Sequence, residues 1–122
     1  MAASLTALGG LHGNRVVTDT SVGTAIQYDS AGGAYSVYTV DIDNSANSAA
    51  SYLKFWNVSS GATLGTTDPV LILFAPAGSR EPYAFPAGIA FSTAISYACV
   101  TTAGTAGTTA PTNAVSITIT AG

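Results

Sequence analysis

This 122-residue sequence has few charged residues, since only 7% of its residues are Asp, Glu, Lys or Arg. Six acids accompany three bases, Arg15, Lys54 and Arg80, while small residues are abundant and helix-favouring ones are few. This composition excludes a helical bundle. A freely diffusing monomer normally needs more surface charge, so we expect an assembly to cover part of the surface. The alternative is an extracellular-type β domain that Ser and Thr hydroxyls keep soluble.

Residues that perform catalysis are equally rare. The one histidine, His12, lies among glycines in a stretch without periodicity, where nothing would hold it beside a nucleophile. The one cysteine, Cys99, is in phase with Ile95 and Tyr97, which favours a small buried thiol over a reactive one. Glu81 is the one glutamate and adjoins Arg80, which favours a solvated pair in a turn. We therefore expect no enzyme and no cofactor.

Further absences disfavour several partners and locations. The chain has no cluster of Lys or Arg of the kind that contacts with nucleic-acid phosphates require. No apolar run approaches the roughly 18 residues that span a membrane. The N-terminal residues lack the basic and continuously apolar regions of a signal peptide. We expect a protein that is assembled in a cytoplasm and binds neither nucleic acid nor membrane.

What the sequence does contain is repeated alternation of apolar and polar residues, which is typical of β-strands. The clearest pattern places Val115, Ile117 and Ile119 on one face. The predicted strands cover residues 15–18, 22–28, 35–42, 52–58, 70–75, 83–93, 94–101 and 115–120. Seven or eight strands with no helix between them favour an all-β fold, an antiparallel β-sandwich with the jelly roll as one form of it.

The longest apolar run, residues 70–75, is bracketed by Pro69 and Pro76 and predicts a buried strand. The turns that follow it imply two hairpin-like connections before residue 102. The in-phase positions of all the strands then predict the core. Its members are Ile26, Tyr38, Val40, Ile42, Leu53, Phe55, Ile72, Phe74, Ile95, Tyr97, Ile117 and Ile119.

The chain divides into an extended N-terminal arm, residues 1–14, and a single β-sandwich domain, residues 15–122. The arm and the Thr/Gly/Ala-rich loop at residues 101–113 have too few large apolar groups to pack a core. Both also have too little charge to behave as solvated disordered segments. We therefore expect these two segments to contact a partner.

Large side chains on the outer positions of the strand at residues 52–58 form a candidate glycan or subunit contact. They are Tyr52, Lys54 and Trp56. Exposed aromatic rings on a β-sandwich can stack on sugar rings. The stronger alternative is that this face packs against a second sheet or a neighbouring subunit.

A second cluster of polar residues follows the strand at residues 35–42. It consists of Asp41, Asp43, Asn44 and Asn47, whose oxygens are of the kind that calcium prefers. The spacing lacks the glycine and the closing glutamate of an EF-hand loop. We therefore favour an Asx-rich turn over a metal site.

Residues 51–120 also carry a resemblance in the order of their elements. An apolar strand is followed by the turn Pro76-Ala77-Gly78, by the sequence FPAGIAFSTAIS from Phe85, and by a Thr/Ala/Gly-rich loop before the last strand. This order resembles the small β-sandwich virion proteins of tailed bacteriophages, which are capsid decoration (cement) or accessory head proteins. The resemblance implies a non-enzymatic structural protein that binds the major capsid protein on the capsid surface of the virion.

The strands at residues 52–58 and 70–75 are apolar on both faces, whereas a two-layer sandwich covers one face only. We expect the second face to be buried by a copy of the chain, in a dimer or trimer, or by a partner. Two alternative functions remain. One is a carbohydrate-binding or adhesion module that uses Tyr52 and Trp56, and the other is a tail or fibre subunit.

Overall fold

A computed structural model describes residues 3–7 and 14–122, without the side chains of Thr6 and Ala7. These residues contain eight strands and no helix. The strands are β1 (Ala3–Ala7), β2 (Arg15–Val22), β3 (Tyr35–Asp43), β4 (Ser51–Trp56), β5 (Leu71–Ala75), β6 (Arg80–Phe91), β7 (Ser96–Val100) and β8 (Val115–Ala121).

The strands form two antiparallel sheets. The large sheet has the order β1-β2-β8-β3-β6 and the small sheet has the order β5-β4-β7. Pairing is nested along the chain, since β2 pairs with β8, β3 with β6 and β4 with β5. A long hairpin rolled up in this way is a jelly roll. The prediction of an all-β antiparallel sandwich is therefore confirmed.

The strand predicted at residues 22–28 is wrong for most of that segment. β2 ends at Val22, and Gln27 forms an isolated bridge with Tyr97, with N to O distances of 2.9 and 3.2 Å. The Cys99 amide also donates to the Gly23 carbonyl at 2.8 Å. The segment thus lies beside β7 without becoming a strand, and it completes the nested pairing of the jelly roll.

The core lies between the two sheets, and eight of the twelve predicted core residues are confirmed as members of it. They are Val40, Ile42, Leu53, Phe55, Ile95, Tyr97, Ile117 and Ile119. The prediction is wrong for Ile26, Tyr38 and Ile72, which are partly exposed, and for Phe74, which is exposed.

Tyr38 leaves the core because β3 contains an irregularity. The register of β3 shifts between Val37 and Thr39 against both β6 and β8. A shift of one residue reverses the faces of a strand, so Val37 is buried where strict alternation predicts Tyr38.

The alternation of β5 is reversed relative to the prediction. Leu73 and Ala75 are in the core, whereas Ile72 and Phe74 lie on the opposite face. A run of consecutive apolar residues contains no alternation that could fix its face. β5 is also an edge strand, with Phe74 43% and the preceding Val70 61% exposed, so the prediction of a buried strand is wrong.

β6 is a single strand through Pro82 and Pro86. It lies at the edge of the large sheet, where a residue without an N–H group is tolerated. Since β5 and β7 belong to the small sheet, the chain crosses between sheets before and after β6. The expectation of two hairpin-like connections is therefore wrong.

Part of the predicted N-terminal arm belongs to the large sheet. β1 pairs with β2 in an antiparallel register from Ala3 opposite Asp19 to Ala7 opposite Arg15. Residues 1–2 and 8–13, which include His12, lie outside the described residues.

Candidate functional site

The outer face of the small sheet holds the three residues predicted as a contact. Tyr52, Lys54 and Trp56 share this face of β4, because Leu53 and Phe55 between them point into the core. Alternation along the strand therefore placed the three residues together correctly. Lys54 is 0% and Trp56 is 1% exposed, so this face is packed against other residues rather than open.

Lys54 is covered by the loop at residues 101–113, which we call the Thr/Gly/Ala loop. The Lys54 Nζ donates to the carbonyl oxygens of Thr105 at 3.2 Å and Gly107 at 2.9 Å. Burial lowers the pKa of Lys54, because removal from water disfavours the charged form. Among the described residues, no carboxylate forms an ion pair with this ammonium group.

Trp56 is covered by a different part of the chain, the loop at residues 57–70 between β4 and β5. The indole Nε1–H donates to the Thr67 carbonyl at 2.9 Å. The loop is itself tied together, since the Thr63 amide donates to the Thr67 hydroxyl at 2.9 Å. The polar edge of the indole is thus satisfied within the same chain, as a buried tryptophan requires.

The two covering loops also contact each other. The Thr105 hydroxyl donates to the Asp68 carboxylate at 2.6 Å. Gly65 has a φ of +87°, and a Cβ placed on it would lie 2.6 Å from the Thr108 methyl carbon. A side chain at position 65 would therefore require the Thr108 side chain to move. The loops form a third layer on the outer face of the small sheet.

This third layer determines how much of the candidate contact at Tyr52, Lys54 and Trp56 is accessible. Lys54 and Trp56 are buried by their own chain, so they offer no open surface to a glycan or a subunit. Tyr52 is half-buried, and its ring centroid lies 5.5 Å from that of Phe74. The exposed and half-buried apolar side chains of this face therefore form a strip of Val70, Ile72, Phe74 and Tyr52, which we call the β5 strip.

The Asx-rich turn after β3 is confirmed. The Asp43 carboxylate accepts from the Ser45 amide at 3.0 Å, and its bonds with Ser45 hold the pKa of Asp43 below the ordinary value. The Asn44 side chain accepts from the Ser51 hydroxyl at 2.8 Å and from the Asn47 side chain at 2.9 Å. In the described residues, no group of three His, Cys, Asp or Glu side chains is arranged to hold a metal ion.

Asn47 ties this turn to the far end of the Thr/Gly/Ala loop. Its side chain donates to the Asn113 carbonyl at 2.9 Å and accepts from the Asn113 amide at 2.7 Å. Sequence reasoning identified the turn but not this contact, because Asn47 and Asn113 lie far apart in the chain.

A buried polar pair between the sheets was also missed. Asp19 of β2 accepts from the Tyr97 hydroxyl of β7 at 2.9 Å, and both residues are buried. Asp19 sits where the pairing of β2 with β8 becomes irregular, and it also accepts from the Ser21 amide at 3.0 Å. Desolvation, reinforced by this bond, raises the pKa of Tyr97. The one sequence signal for this pair was an acidic residue, Asp19, at a position of β2 that faces the core.

Two smaller predictions have different outcomes. Cys99 is a free, buried thiol of the core, as predicted, and burial raises its pKa to about 12. Arg80 does not pair with the adjacent Glu81 but with Asp41 of the neighbouring strand β3.

The described part of the chain contains no helix long and apolar enough to cross a membrane. No protein-family model, curated protein or solved structure matches this chain.

Proposed function

We propose that this chain is a non-enzymatic structural protein of a phage particle, a capsid decoration (cement) protein that binds the assembled shell as a homo-oligomer. The observation that carries the proposal is the β5 strip, in which Val70 is 61% and Phe74 43% exposed on a chain with only 7% charged residues. Adjoining apolar side chains on a sparsely charged surface are typical of interaction sites. Burial of this strip against another protein would remove it from water.

The fold supports the proposal only at the level of analogy. Jelly rolls occur in viral capsid proteins and also in lectins, so the architecture by itself does not fix a function. The resemblance of residues 51–120 to decoration and accessory head proteins favours the virion. The burial of Trp56 disfavours the glycan alternative, because only Tyr52 of the two proposed stacking rings is partly accessible.

The chemistry of the surface indicates how a shell would be bound. Lys54 is buried, which leaves Arg15 and Arg80 as the other basic side chains, and Arg80 already pairs with Asp41. Contact with the major capsid protein, or with a second copy in a dimer or trimer, would therefore rest on apolar groups and backbone hydrogen bonds. Such binding depends little on salt, unlike binding through ion pairs.

The direct test locates the labelled protein on purified particles of the phage that encodes it, by negative-stain microscopy. The proposal expects label over the head and retention of the protein in roughly 0.5 M salt. Label on the tail would support the tail or fibre alternative, and absence of label from the particle would overturn the proposal.

A pair of matched variants tests the β5 strip itself. Replacement of Val70 and Phe74 by Ser should lower occupancy of the heads in co-sedimentation, because it removes the exposed apolar groups. Thr118→Ser, on the outer face of the large sheet, is the control and should sediment as the wild type does. Equal occupancy of all three proteins would exclude the strip from the contact.

A further inference from the structure

β5 is an edge strand whose sequence favours pairing with another chain. The small sheet ends at β5. The run of residues 70–75 contains no charge, proline or glycine, and short segments of this kind readily form intermolecular β-sheets. An edge strand presents a row of N–H and C=O groups to which a further strand can add. A chain that carries such an edge needs something to block it.

Two other edges of the jelly roll are protected in different ways. β6 contains Pro82 and Pro86, which have no N–H group to offer to a further strand. β7 is covered by the segment that precedes β3, since Gln27 and Tyr97 exchange backbone hydrogen bonds of 2.9 and 3.2 Å. Within the described residues, β5 has neither a proline nor a bridged segment beside it.

The backbone groups of Phe74 point away from β4, to the open side of β5. The Cys99 amide of β7 donates to the segment outside the sheet, so its neighbour Val100 directs its backbone groups at β4. Tyr52 lies opposite Val100 and therefore turns its own groups toward β7. Phe74 lies opposite Tyr52 on the other side and turns outward, as does Ile72 two residues earlier.

Tyr83 of β6 occupies this open side of β5. Its hydroxyl donates to the Phe74 carbonyl at 2.5 Å. Its ring packs against the core and lies nearly parallel to the ring of Phe85, with 6.4 Å between the centroids and 6° between the planes. The hydroxyl therefore lies where the N–H group of an added strand would have to bind.

The register in which two copies of β5 would pair most completely needs this carbonyl. Antiparallel pairing that uses the outward groups of both Ile72 and Phe74 places Ile72 of one copy opposite Phe74 of the other. Each Phe74 carbonyl would then accept from an Ile72 amide. In the folded chain that carbonyl already accepts from Tyr83.

We propose that Tyr83 is a guard residue, which caps the edge of β5 and prevents it from pairing with β5 of a second copy. The inference concerns the backbone edge of the strand and not the side chains of the β5 strip, which lie on the face of the sheet. It is therefore independent of the proposed function, and failure of the chain to bind a shell would leave it standing.

Sedimentation velocity tests the guard on the protein alone. Tyr83→Phe removes the hydroxyl and keeps the ring, and the two carbonyls that it frees in a pair of copies should let this variant self-associate at a concentration at least about tenfold lower than the wild type. Tyr28→Phe is the matched control, since it also removes a hydroxyl that donates to a backbone carbonyl, that of Ala62 in a loop, at 2.8 Å. It should sediment as the wild type does. Equal association of Tyr83→Phe and the wild type, or of the two variants, would overturn the proposal.

Hydrogen exchange distinguishes pairing at the edge from any other association. As Tyr83→Phe associates, the amides of Ile72 and Phe74 should exchange more slowly, because each would donate to the other copy. Adding Ile72→Lys should reverse the association, since a lysine on an edge strand opposes the addition of a further strand. Association without protection of these two amides, or association that persists after Ile72→Lys, would show that Tyr83 does not guard the edge.

Discussion

The outer faces of the two sheets obey the same alternation but differ in what lies on them. On the large sheet, Thr18, Thr118 and Asp41 form a row of short polar side chains across three strands. On the small sheet, Lys54 and Trp56 occupy the equivalent outward positions and are fully buried by two loops. An outward position of a strand is therefore not a surface position when the connecting loops return over it.

The largest expected effect is the difference in the free energy of unfolding between substitutions at Trp56 and at Thr118. Trp56→Ala should lower the free energy of unfolding by about 3 to 5 kcal/mol, since the side chain is buried although it faces away from the core. Thr118→Ala, on the other outer face, should change it by only about 0.5 kcal/mol. Denaturant midpoints measure both variants, and similar small effects would mean that the loops do not cover Trp56.

The inner faces should not show this difference, because both sheets contribute to one core. Leu53→Ala in the small sheet and Ile117→Ala in the large sheet should each cost about 2 to 5 kcal/mol. An unmoved denaturation midpoint for Ile117→Ala would show that the facing of β8 is assigned wrongly.

A smaller effect distinguishes a buried polar contact between sheets from an exposed one within a sheet. Tyr97→Phe leaves the buried Asp19 carboxylate without its partner from the opposite sheet and should cost about 1 to 3 kcal/mol. Thr39→Val removes the hydroxyl contact with Thr120 on the exposed face and should cost at most about 0.5 kcal/mol. Equal costs would indicate that water reaches the Asp19 pair.

The smallest expected effect is on the pH dependence of stability in alkaline solution. It compares Lys54, which the loops cover on the outer face, with Cys99 in the core. Burial lowers the pKa of Lys54 below its ordinary value of 10.5. Between the lowered pKa and pH 10.5, the folded chain binds fewer protons than the unfolded chain, so the contribution of Lys54 to the free energy of unfolding rises with pH. Burial raises the pKa of Cys99 from 9.0 to about 12, so Cys99 makes stability fall as pH rises through that window.

Unfolding curves between about pH 8 and 10.5 separate the two groups. Lys54→Met should lose stability with pH more steeply than the wild type, and Cys99→Ala should lose it less steeply. The same slope in Lys54→Met and the wild type would contradict the burial of the lysine.

Local pattern predicted the architecture and much of the core. The alternation in β8 was sufficient to place Ile117 and Ile119, because no irregularity interrupts it. It failed for Tyr38, where the register of β3 shifts, and for Phe74, whose apolar neighbours contain no alternation. The register shift depends on pairing with β6 and β8, which a single strand does not encode.

At the candidate site too, the pattern within one strand was predictive, whereas contacts between residues far apart in the chain were not predicted. Alternation grouped Tyr52, Lys54 and Trp56 correctly on one face. It could not predict that Gly107 would accept a hydrogen bond from Lys54, because the two residues lie 53 positions apart in the chain. Residues 101–113 contact their own sheet, and the expectation that they contact a partner stays a prediction.

The fluorescence of Trp56 tests most directly the claim that the chain's own loops cover the outer face of the small sheet. Trp56 is the one tryptophan of the sequence, so its emission reports that position alone. In dilute protein, without any partner, we expect a blue-shifted emission maximum and weak quenching by acrylamide. Emission at the wavelength of free tryptophan with full quenching would contradict the account, because it would mean that this face is open until another molecule covers it.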